Sequence, residues 1–270
     1  MQVFGIKIDK LKYNELFKKI TKFESQNIVF TPNPEILLKT LKDKEFESLI
    51  NKANYNTSDG IGLYIAYQII DNNYNKFINI LLLPYFFFNL FFRRNFLYEK
   101  YGQRICGSDL TKDLVQYSEK NNIKVTIIDL YNPTDSKKVE SQNMFSKLLK
   151  DKFKNLNFDY FIYEPSKKSE IIKKIKDSDS KILFSTLGMK KQEESVIEIM
   201  QDCQNIKIGL GIGSGFDYFT GFQKRAPKIW RSLGLEWLYR LLTGPRKIDR
   251  LKRLYNAIFA FIYYVIRYKK

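Results

Sequence analysis

Histidine is absent from the sequence, and cysteine occurs only twice. Without imidazole, the chain cannot use histidine for acid–base chemistry, pair it with a serine or cysteine nucleophile, or bind zinc through histidine ligands. Cys106 and Cys203 lie far apart and match no metal-binding spacing. Such sparse cysteine is typical of a reducing compartment rather than of a disulfide framework.

Two nucleotide-binding signatures are also missing. The run Gly209-Leu-Gly211-Ile-Gly213-Ser-Gly215 has a glycine at every second position and does not fit G-x-G-x-x-G, and no G-x-x-x-x-G-K-[ST] occurs. A nicotinamide-dependent oxidoreductase is therefore disfavoured. The first residues have neither the basic start nor the long apolar run of a signal peptide, so we expect the catalytic part to be cytoplasmic.

Long apolar runs are limited to residues 77–92, FINILLLPYFFFNLFF, which are followed by Arg93 and Arg94. The run is shorter than the ~20 residues that a membrane-spanning helix needs, and Pro84 interrupts it. Two alternatives remain open for this segment. It is either a buried core helix or pair of short helices, or a segment that dips into the membrane interface.

Positive charge is concentrated near the C-terminus. The net charge is +17, and residues 224–270 hold thirteen Lys or Arg against Glu236 and Asp249. Apolar residues between 251 and 266 recur at helical spacing among these cations, with aromatic residues beside them. A basic amphipathic helix of this kind favours an anionic membrane surface, and not nucleic acid, as the partner. The alternative is a terminal helix that packs on the core.

Apolar runs alternate with helical segments through the rest of the chain. Strands are predicted at 28–30, 123–128, 158–163, 182–187 and 206–210, with a short run near 53–57, and helices at 34–51, 166–176 and 190–201. This alternation predicts an α/β fold, a Rossmann-like and mostly parallel sheet flanked by helices, with a basic helical C-terminal appendage. We expect a catalytic domain over 1–225, with an apolar insertion at about 72–100, and a membrane-associating appendage over 226–270.

Four polar motifs follow predicted strands, and ligands of open parallel sheets bind at the carboxyl ends of the strands. Asp59 is a carboxylate in a glycine-flanked turn, which makes it the best candidate for a general base, although it also suits a helix N-cap. Thr31 and Asn33 could hydrogen-bond a sugar hydroxyl or could be turn formers only. The other two motifs are Gly188–Glu193 and the glycine run.

The last two motifs offer an amide and a flexible backbone. Gln192 is a candidate to contact a base or a sugar, or else a solvated helix residue. The backbone at Gly211, Gly213 and Gly215 could approach a ligand closely and cradle phosphates. Asp177-Ser-Asp179 has the D-x-D form of metal-dependent glycosyltransferases, but it precedes a strand. We therefore interpret it as a turn at the opposite end of the sheet.

Together these motifs resemble the WecG/TagA/CpsF family of bacterial glycosyltransferases. The matching segments follow the family's order from about residue 3 to residue 247, and they include TPNPEI, TSDGIGLYIA, GSDL at Gly107–Leu110 and LGMKKQE. GLGIGSGFDYFTGFQKRAPKIW and LGLEWLYRLLTGPRK are the longest and most distinctive of the matching segments.

The resemblance implies an inverting, metal-independent transferase that needs no cofactor. Its donor would be a UDP-sugar, by default of N-acetylmannosamine type. Its acceptor would be a polyprenyl-diphosphate-linked N-acetylglucosamine, used to build teichoic acid, capsule or another surface polysaccharide. The enzyme would be a peripheral or monotopic protein at the cytoplasmic face of the cell membrane. The family's catalytic aspartate falls on Asp59, and its substrate-binding residues fall on Thr31, Asn33, Gln192, Arg231, Arg240 and Arg246.

The sequence departs from the family pattern at several points. Leu130-Tyr-Asn-Pro-Thr134 replaces a glycine-rich turn, and Met189-Lys190 replaces a small residue and proline, so the donor sugar stays open. Residues 72–100 and 248–270 extend beyond the pattern, which suggests stronger membrane attachment. The alternative function is a non-catalytic basic membrane-binding module on the same fold.

Overall fold

A computed structural model describes the backbone of residues 1–130, 136–213, 215–219, 225–227, 229–230, 236–243, 251 and 255–269. Its first element is a small antiparallel hairpin of β1 (Gln2–Val3) and β2 (Ile6–Lys7). The remaining described strands form one parallel sheet in the order β4-β3-β8-β7-β5-β6. They are β3 (Asn27–Phe30), β4 (Tyr55–Asn56), β5 (Val125–Leu130), β6 (Phe158–Tyr163), β7 (Ile182–Ser185) and β8 (Ile208–Gly211). The predicted α/β fold is therefore confirmed.

Helices cover both faces of this sheet. They are α1 (Tyr13–Ile20), α2 (Pro34–Thr40), α3 (Lys44–Asn51), α4 (Gly62–Asp71), α5 (Lys76–Leu81), α6 (Leu83–Phe92), α7 (Arg94–Tyr101), α8 (Gly107–Lys120), α9 (Ser136–Lys152), α10 (Lys168–Lys176), α11 (Lys191–Asp202), α12 (Glu236–Thr243) and α13 (Phe261–Tyr268). Short 3-10 turns occur at Pro165–Lys167 and Gly215–Tyr218, and a π-helical turn at Asn256–Ala260 leads into α13.

Each face of the sheet has its own apolar core. Successive residues of a strand point to opposite faces, so Leu183 joins the first core and Phe184 joins the second. The first core lies under α2, α3, α4, α6, α10, α11 and α13. The second lies under α1, α8 and α9. Because both faces are covered, the strands are apolar runs rather than alternating ones.

The predicted helix over 34–51 is in fact two helices. Asp43 accepts a hydrogen bond from the Phe46 amide at 2.9 Å and caps α3, so α2 ends before it. An aspartate that caps a new helix competes with continuation of the old one, and the periodic apolar pattern alone did not reveal this break.

The apolar segment 77–92 forms most of α5 and all of α6, which meet at Leu82 just before Pro84. Phe86 and Leu90 are buried, whereas Phe77 is 69% exposed and Phe92 is 75% exposed. The segment is thus partly packed on protein and partly open to its surroundings. Within the described ranges, no helix is both long enough and apolar enough to cross a bilayer.

The terminal helix α13 packs on the outside of α4. Phe261, Ile262, Val265 and Ile266 are buried in this contact, so the apolar stripe predicted to face lipid packs largely on protein. Lys269 holds the end of the helix by donating hydrogen bonds to Asn72 Oδ1 at 2.6 Å and to the Tyr74 carbonyl at 3.2 Å. The face opposite to the buried one carries exposed aromatic side chains, including Phe259 and Tyr263.

Truncating the buried face of α13 should destabilise the whole fold. We expect Phe261→Ala, which empties a fully buried site, to lower the free energy of unfolding by about 3–5 kcal/mol. Tyr263→Ala, two residues away on the exposed face, should change it by less than about 0.5 kcal/mol. Urea unfolding of both variants measures the difference, and equal effects would contradict the described packing of α13.

Candidate active site

The four polar motifs lie on neighbouring strands at the carboxyl edge of the sheet. The TPNP motif follows β3, and the Asp59 turn follows β4. The glycine run continues β8, and Gly188 lies in the loop after β7. Since the sheet order places β4, β3, β8 and β7 side by side, the four loops are adjacent. This is the convergence that the sequence predicted.

The turn at Asp59 is held against the TPNP loop by backbone contacts. The Asp59 amide donates to the Pro32 carbonyl at 3.3 Å, and the Thr57 amide donates to the Phe30 carbonyl at 2.9 Å. Gly60 has a φ of +112°, and a Cβ there would lie 3.1 Å from Cδ of Pro34. The glycine is therefore required by both conformation and space, and it fixes where the partly exposed Asp59 lies.

Asn33 and Thr31 hold the same corner together. Asn33 Oδ1 accepts a hydrogen bond from the Ile36 amide at 3.0 Å, so its side-chain oxygen serves as the N-cap of α2. Thr31 packs against the start of α8, where a Cβ on Gly107 would lie 2.9 Å from the Thr31 Oγ1 atom. Asn33 therefore has a local structural role, which was one of its two predicted roles. Thr31 connects the TPNP loop to the GSDL segment.

Arg104 is a cation that interacts electrostatically with Asp59, and the sequence analysis did not single it out. Burial lowers the pKa of the Arg104 guanidinium, but nearby negative charge, including the Asp59 carboxylate, raises it, and the net direction is upward. Burial likewise raises the pKa of the Cys106 thiol, and Asp59 raises it further. The raised pKa of Arg104 keeps its guanidinium charged, and the raised pKa of Cys106 keeps its thiol protonated. The only hint in the sequence is that Arg104 stands just before the GSDL segment.

A second arginine comes from the C-terminal part of the chain. Arg225 forms an ion pair with Asp109 and donates to Ser108 Oγ at 3.2 Å, both in the first turn of α8. Its guanidinium carbon lies 5.6 Å from the centre of the Tyr218 ring. Within the described part of the chain, the buried Nε of Arg225 has no hydrogen-bond acceptor. An anionic oxygen would satisfy this donor.

Glu236 adds a third carboxylate to the neighbourhood of Asp59 and Asp109. Burial raises the pKa of Glu236, while Arg225 opposes the shift and Asp59 adds to it. The Tyr218 hydroxyl lies 3.4 Å from Glu236 Oε1. The start of α12 therefore belongs to the same group of interacting charges as α8 and the Asp59 turn.

Gln192 is buried and hydrogen-bonded to the protein. Its Oε1 accepts from the Gly213 amide at 2.9 Å, and its Nε2 donates to Glu193 Oε1 at 2.7 Å. A Cβ on Gly211 would lie 2.9 Å from Cγ of Gln192. The side chain is therefore not a solvated one. It fixes the glycine run, including Gly213 at a φ of +50°, beside the carboxyl edge.

Gly215 lies at the far end of the same run, where its 3-10 turn approaches α8. A Cβ there would lie 3.5 Å from the Thr111 Oγ1 atom, which is an ordinary contact distance. The loop before α11 is anchored separately. Lys190 has a φ of +72°, and its Nζ lies 2.6 Å from Glu45 and 2.9 Å from Asp43. Lys190, which departs from the family pattern, thus connects the start of α11 to the start of α3.

Asp129 is a further polar group at this edge that sequence reasoning missed. It lies at the end of β5 and is buried, and it accepts hydrogen bonds from Thr186 at 2.5 Å and from the Tyr160 hydroxyl at 2.9 Å. It connects β5 to the middle of β6 and to the residue after β7. It directly follows the predicted strand 123–128, and no sequence motif marked it for this role.

Three predicted substrate contacts fall outside the described residues. Arg231 and Arg246 lie in ranges that the structure does not describe. Arg240 lies in α12, but its side chain is outside the description. The D-x-D segment is found where the sequence predicted it, between α10 and β7 at the amino edge of the sheet. There Asp179 lies 3.5 Å from the Lys124 ammonium.

The contact between Gly211 and Gln192 can be tested by a double-mutant cycle. Gly211→Ala should push Gln192 away from Gly213 and lower the free energy of unfolding by about 1–3 kcal/mol. In a Gln192→Ala background the same substitution should have a much smaller effect, because the clashing side chain is gone. Strictly additive effects in chemical denaturation would contradict this packing.

One comparison with known proteins bears on the chain as a whole. The model of the WecG/TagA/CpsF family of glycosyl transferases matches residues 1–85 and 90–270. The match includes the Asp59 turn, the glycine run, the α11 loop and the C-terminal segment, which are the elements that form the candidate site. The chain belongs to the WecG/TagA/CpsF glycosyltransferase family.

Proposed function

We propose that this glycosyltransferase moves a sugar from a UDP-sugar to a polyprenyl-diphosphate-linked N-acetylglucosamine, with inversion and with Asp59 as the general base. The observation that carries the proposal is the position of Asp59 in a fixed, glycine-dependent turn, paired electrostatically with Arg104. A base must be held at a defined point beside the reacting atoms, and a nearby cation favours its ionised form.

The chemical step is a single displacement. Asp59 takes the proton of the acceptor hydroxyl while that oxygen forms a bond to the anomeric carbon of the donor. The bond between the anomeric carbon and the UDP oxygen breaks, and its electron pair leaves with UDP. The acceptor oxygen arrives opposite to the leaving group, so the configuration at the anomeric carbon inverts. Thr31 is proposed to orient a substrate hydroxyl beside Asp59.

Charge on the departing diphosphate needs compensation by donors already in place. Arg104 and Arg225 are proposed for this role, because both are partly buried near Asp59 or the start of α8. The backbone at Gly211, Gly213 and Gly215 is proposed to approach the phosphates, with Gln192 and Asn33 fixing the loops. Family resemblance adds Arg231, Arg240 and Arg246.

The donor sugar and the polymer rest on the family alone. We propose N-acetylmannosamine as the default donor sugar, and teichoic acid, capsule or another cell-surface polysaccharide as the product. No metal or cofactor enters the proposed step. The enzyme is proposed to work at an anionic membrane surface on the cytoplasmic face, because its acceptor is a lipid.

Residues 226–270 are proposed as the membrane-associating appendage of a catalytic domain over 1–225. The support is the exposed aromatic face of α13 and its neighbour, the apolar insertion, whose side chains Phe77 and Phe92 are also exposed. Aromatic side chains next to lysines and arginines are typical of membrane-interface helices.

Replacing the proposed base should abolish turnover without unfolding the protein. We expect Asp59→Asn to reduce UDP release by about 10²–10⁴-fold, across a panel of UDP-sugars with a polyprenyl-diphospho-N-acetylglucosamine analogue as acceptor. Asp179→Asn, in the exposed D-x-D turn at the opposite edge, should leave the rate unchanged, and EDTA should have no effect. Full activity of Asp59→Asn would contradict the assignment. Vesicle binding by wild type without turnover of any donor would favour the non-catalytic alternative.

Removing the cation beside Asp59 should also slow the reaction. Arg104→Gln is expected to lower kcat by about 10²–10³-fold, because a preorganised charge is lost, and Arg104→Lys should recover part of the loss. Arg93→Gln, at an exposed arginine of the apolar insertion, is the matched control with a soluble acceptor analogue. An unchanged kcat in a folded Arg104→Gln variant would exclude this role.

A further inference from the structure

An apolar groove runs between the insertion and the terminal helix. Its cavity volume is about 480 Å³, and α5, α6 and the segment from Ile258 to Arg267 line it. Its walls include Ile80, Leu83, Phe87, Ile258, Ile262 and Ile266. Two cationic side chains, Lys76 and Arg267, also line it, and both are exposed. We call this space the interhelical groove.

A polar cavity of about 720 Å³ adjoins the groove and shares Lys76 with it. Its lining includes Asn72, Asn75 and the Lys269 ammonium. None of the described lining residues of either space is an aspartate or glutamate. Asp71 lies next to the polar cavity in sequence, but its carboxylate lies 2.5 Å from the Lys100 ammonium. An apolar space therefore lies beside a polar one, and Lys76 lines both.

The surface around the groove is also apolar. Phe77, Leu81, Phe259 and Tyr263 are 58–69% exposed and flank it. Exposed apolar side chains in such a group mark an interaction surface. A second copy of this chain is a poor occupant, because it carries the same net charge of +17 and would bring cations to cations.

We propose that the interhelical groove binds one anionic phospholipid, with an acyl chain in the apolar part and the phosphate between Lys76 and Arg267. The lipid's two chemical parts match the two parts of the space, since a chain needs apolar walls and a phosphate needs cations. This proposal rests on the membrane association proposed above and is independent of the transferase chemistry.

The bound lipid is distinct from the acceptor. The polar cavity lies at Asn72, after the end of α4, whereas Asp59 precedes the start of the same helix. A ten-residue helix is about 15 Å long, so a headgroup at Lys76 is well separated from the proposed base. The lipid therefore anchors the protein and is not a substrate.

Vesicle binding by the full-length chain separates a lipid site from general electrostatic attraction. Affinity for phosphatidylcholine vesicles with and without phosphatidylglycerol gives the preference for anionic lipid. We expect Lys76→Glu/Arg267→Glu to reduce this preference by about tenfold or more. Lys18→Glu/Lys112→Glu changes the net charge equally, at exposed lysines of α1 and α8 on the other face of the sheet, and should retain most of the preference. Equal losses in the two double variants would overturn the proposal.

Entry of the lipid's acyl chain into the groove can be measured separately by fluorescence quenching. Phe87→Trp places a fluorophore on the groove wall, and phosphatidylglycerol with brominated acyl chains should quench it relative to wild type. Brominated phosphatidylcholine should quench less, and Lys76→Glu/Arg267→Glu should remove the difference. Lys76→Arg should preserve it. Equal quenching by brominated phosphatidylglycerol and brominated phosphatidylcholine would contradict the proposal. Dimerisation that covers the groove without lipid would also contradict it.

The outcomes distinguish this proposal from the others. If the protein binds no vesicles, both the membrane proposal and the lipid site are contradicted. If it binds vesicles without a preference for anionic lipid, only the lipid site is contradicted. If it selects anionic lipid normally but turns over no UDP-sugar, only the transferase proposal is contradicted.

Discussion

Close approach of loops at positions without a Cβ is the constraint on which the candidate site depends. Gly60 makes room for Pro34, Gly107 for Thr31, and Gly211 for Gln192. In each pair the glycine and its neighbour belong to different segments that meet at the carboxyl edge of the sheet. A methyl group at any of these positions would meet an atom 2.9–3.1 Å away, too close for an ordinary contact. The three contacts lock separate loops into one surface.

That surface gives the charged groups their properties. Asp59 is fixed by its turn, and Arg104 and Glu236 reach it from distant parts of the chain. Because these groups are partly removed from water, each alters the ionisation of the others. The C-terminal segment contributes twice, through Arg225 near the proposed site and through α13 on the far side of α4.

The sequence predicted the fold class and the carboxyl-edge location because both depend on local patterns and on the rules of parallel sheets. It located the Asp59 turn at this edge for the same reason. It did not find Arg104, since the apolar insertion separates the two residues along the chain and only folding joins them. Gln192 was predicted either to contact a substrate or to be a solvated helix residue, and its burial was not predicted because it depends on Gly211 in strand β8. The sequence also could not decide whether the apolar face of α13 contacts lipid or protein, since the same apolar spacing suits both.

The anomeric configuration of the product tests the central claim most directly. A single carboxylate that deprotonates the acceptor implies one displacement and therefore inversion. Nuclear magnetic resonance of the glycan formed from a UDP-sugar of known configuration gives the answer. The account predicts the opposite configuration in the product. A product that retains the donor's configuration would require a covalent or front-face route, and it would contradict the role assigned to Asp59.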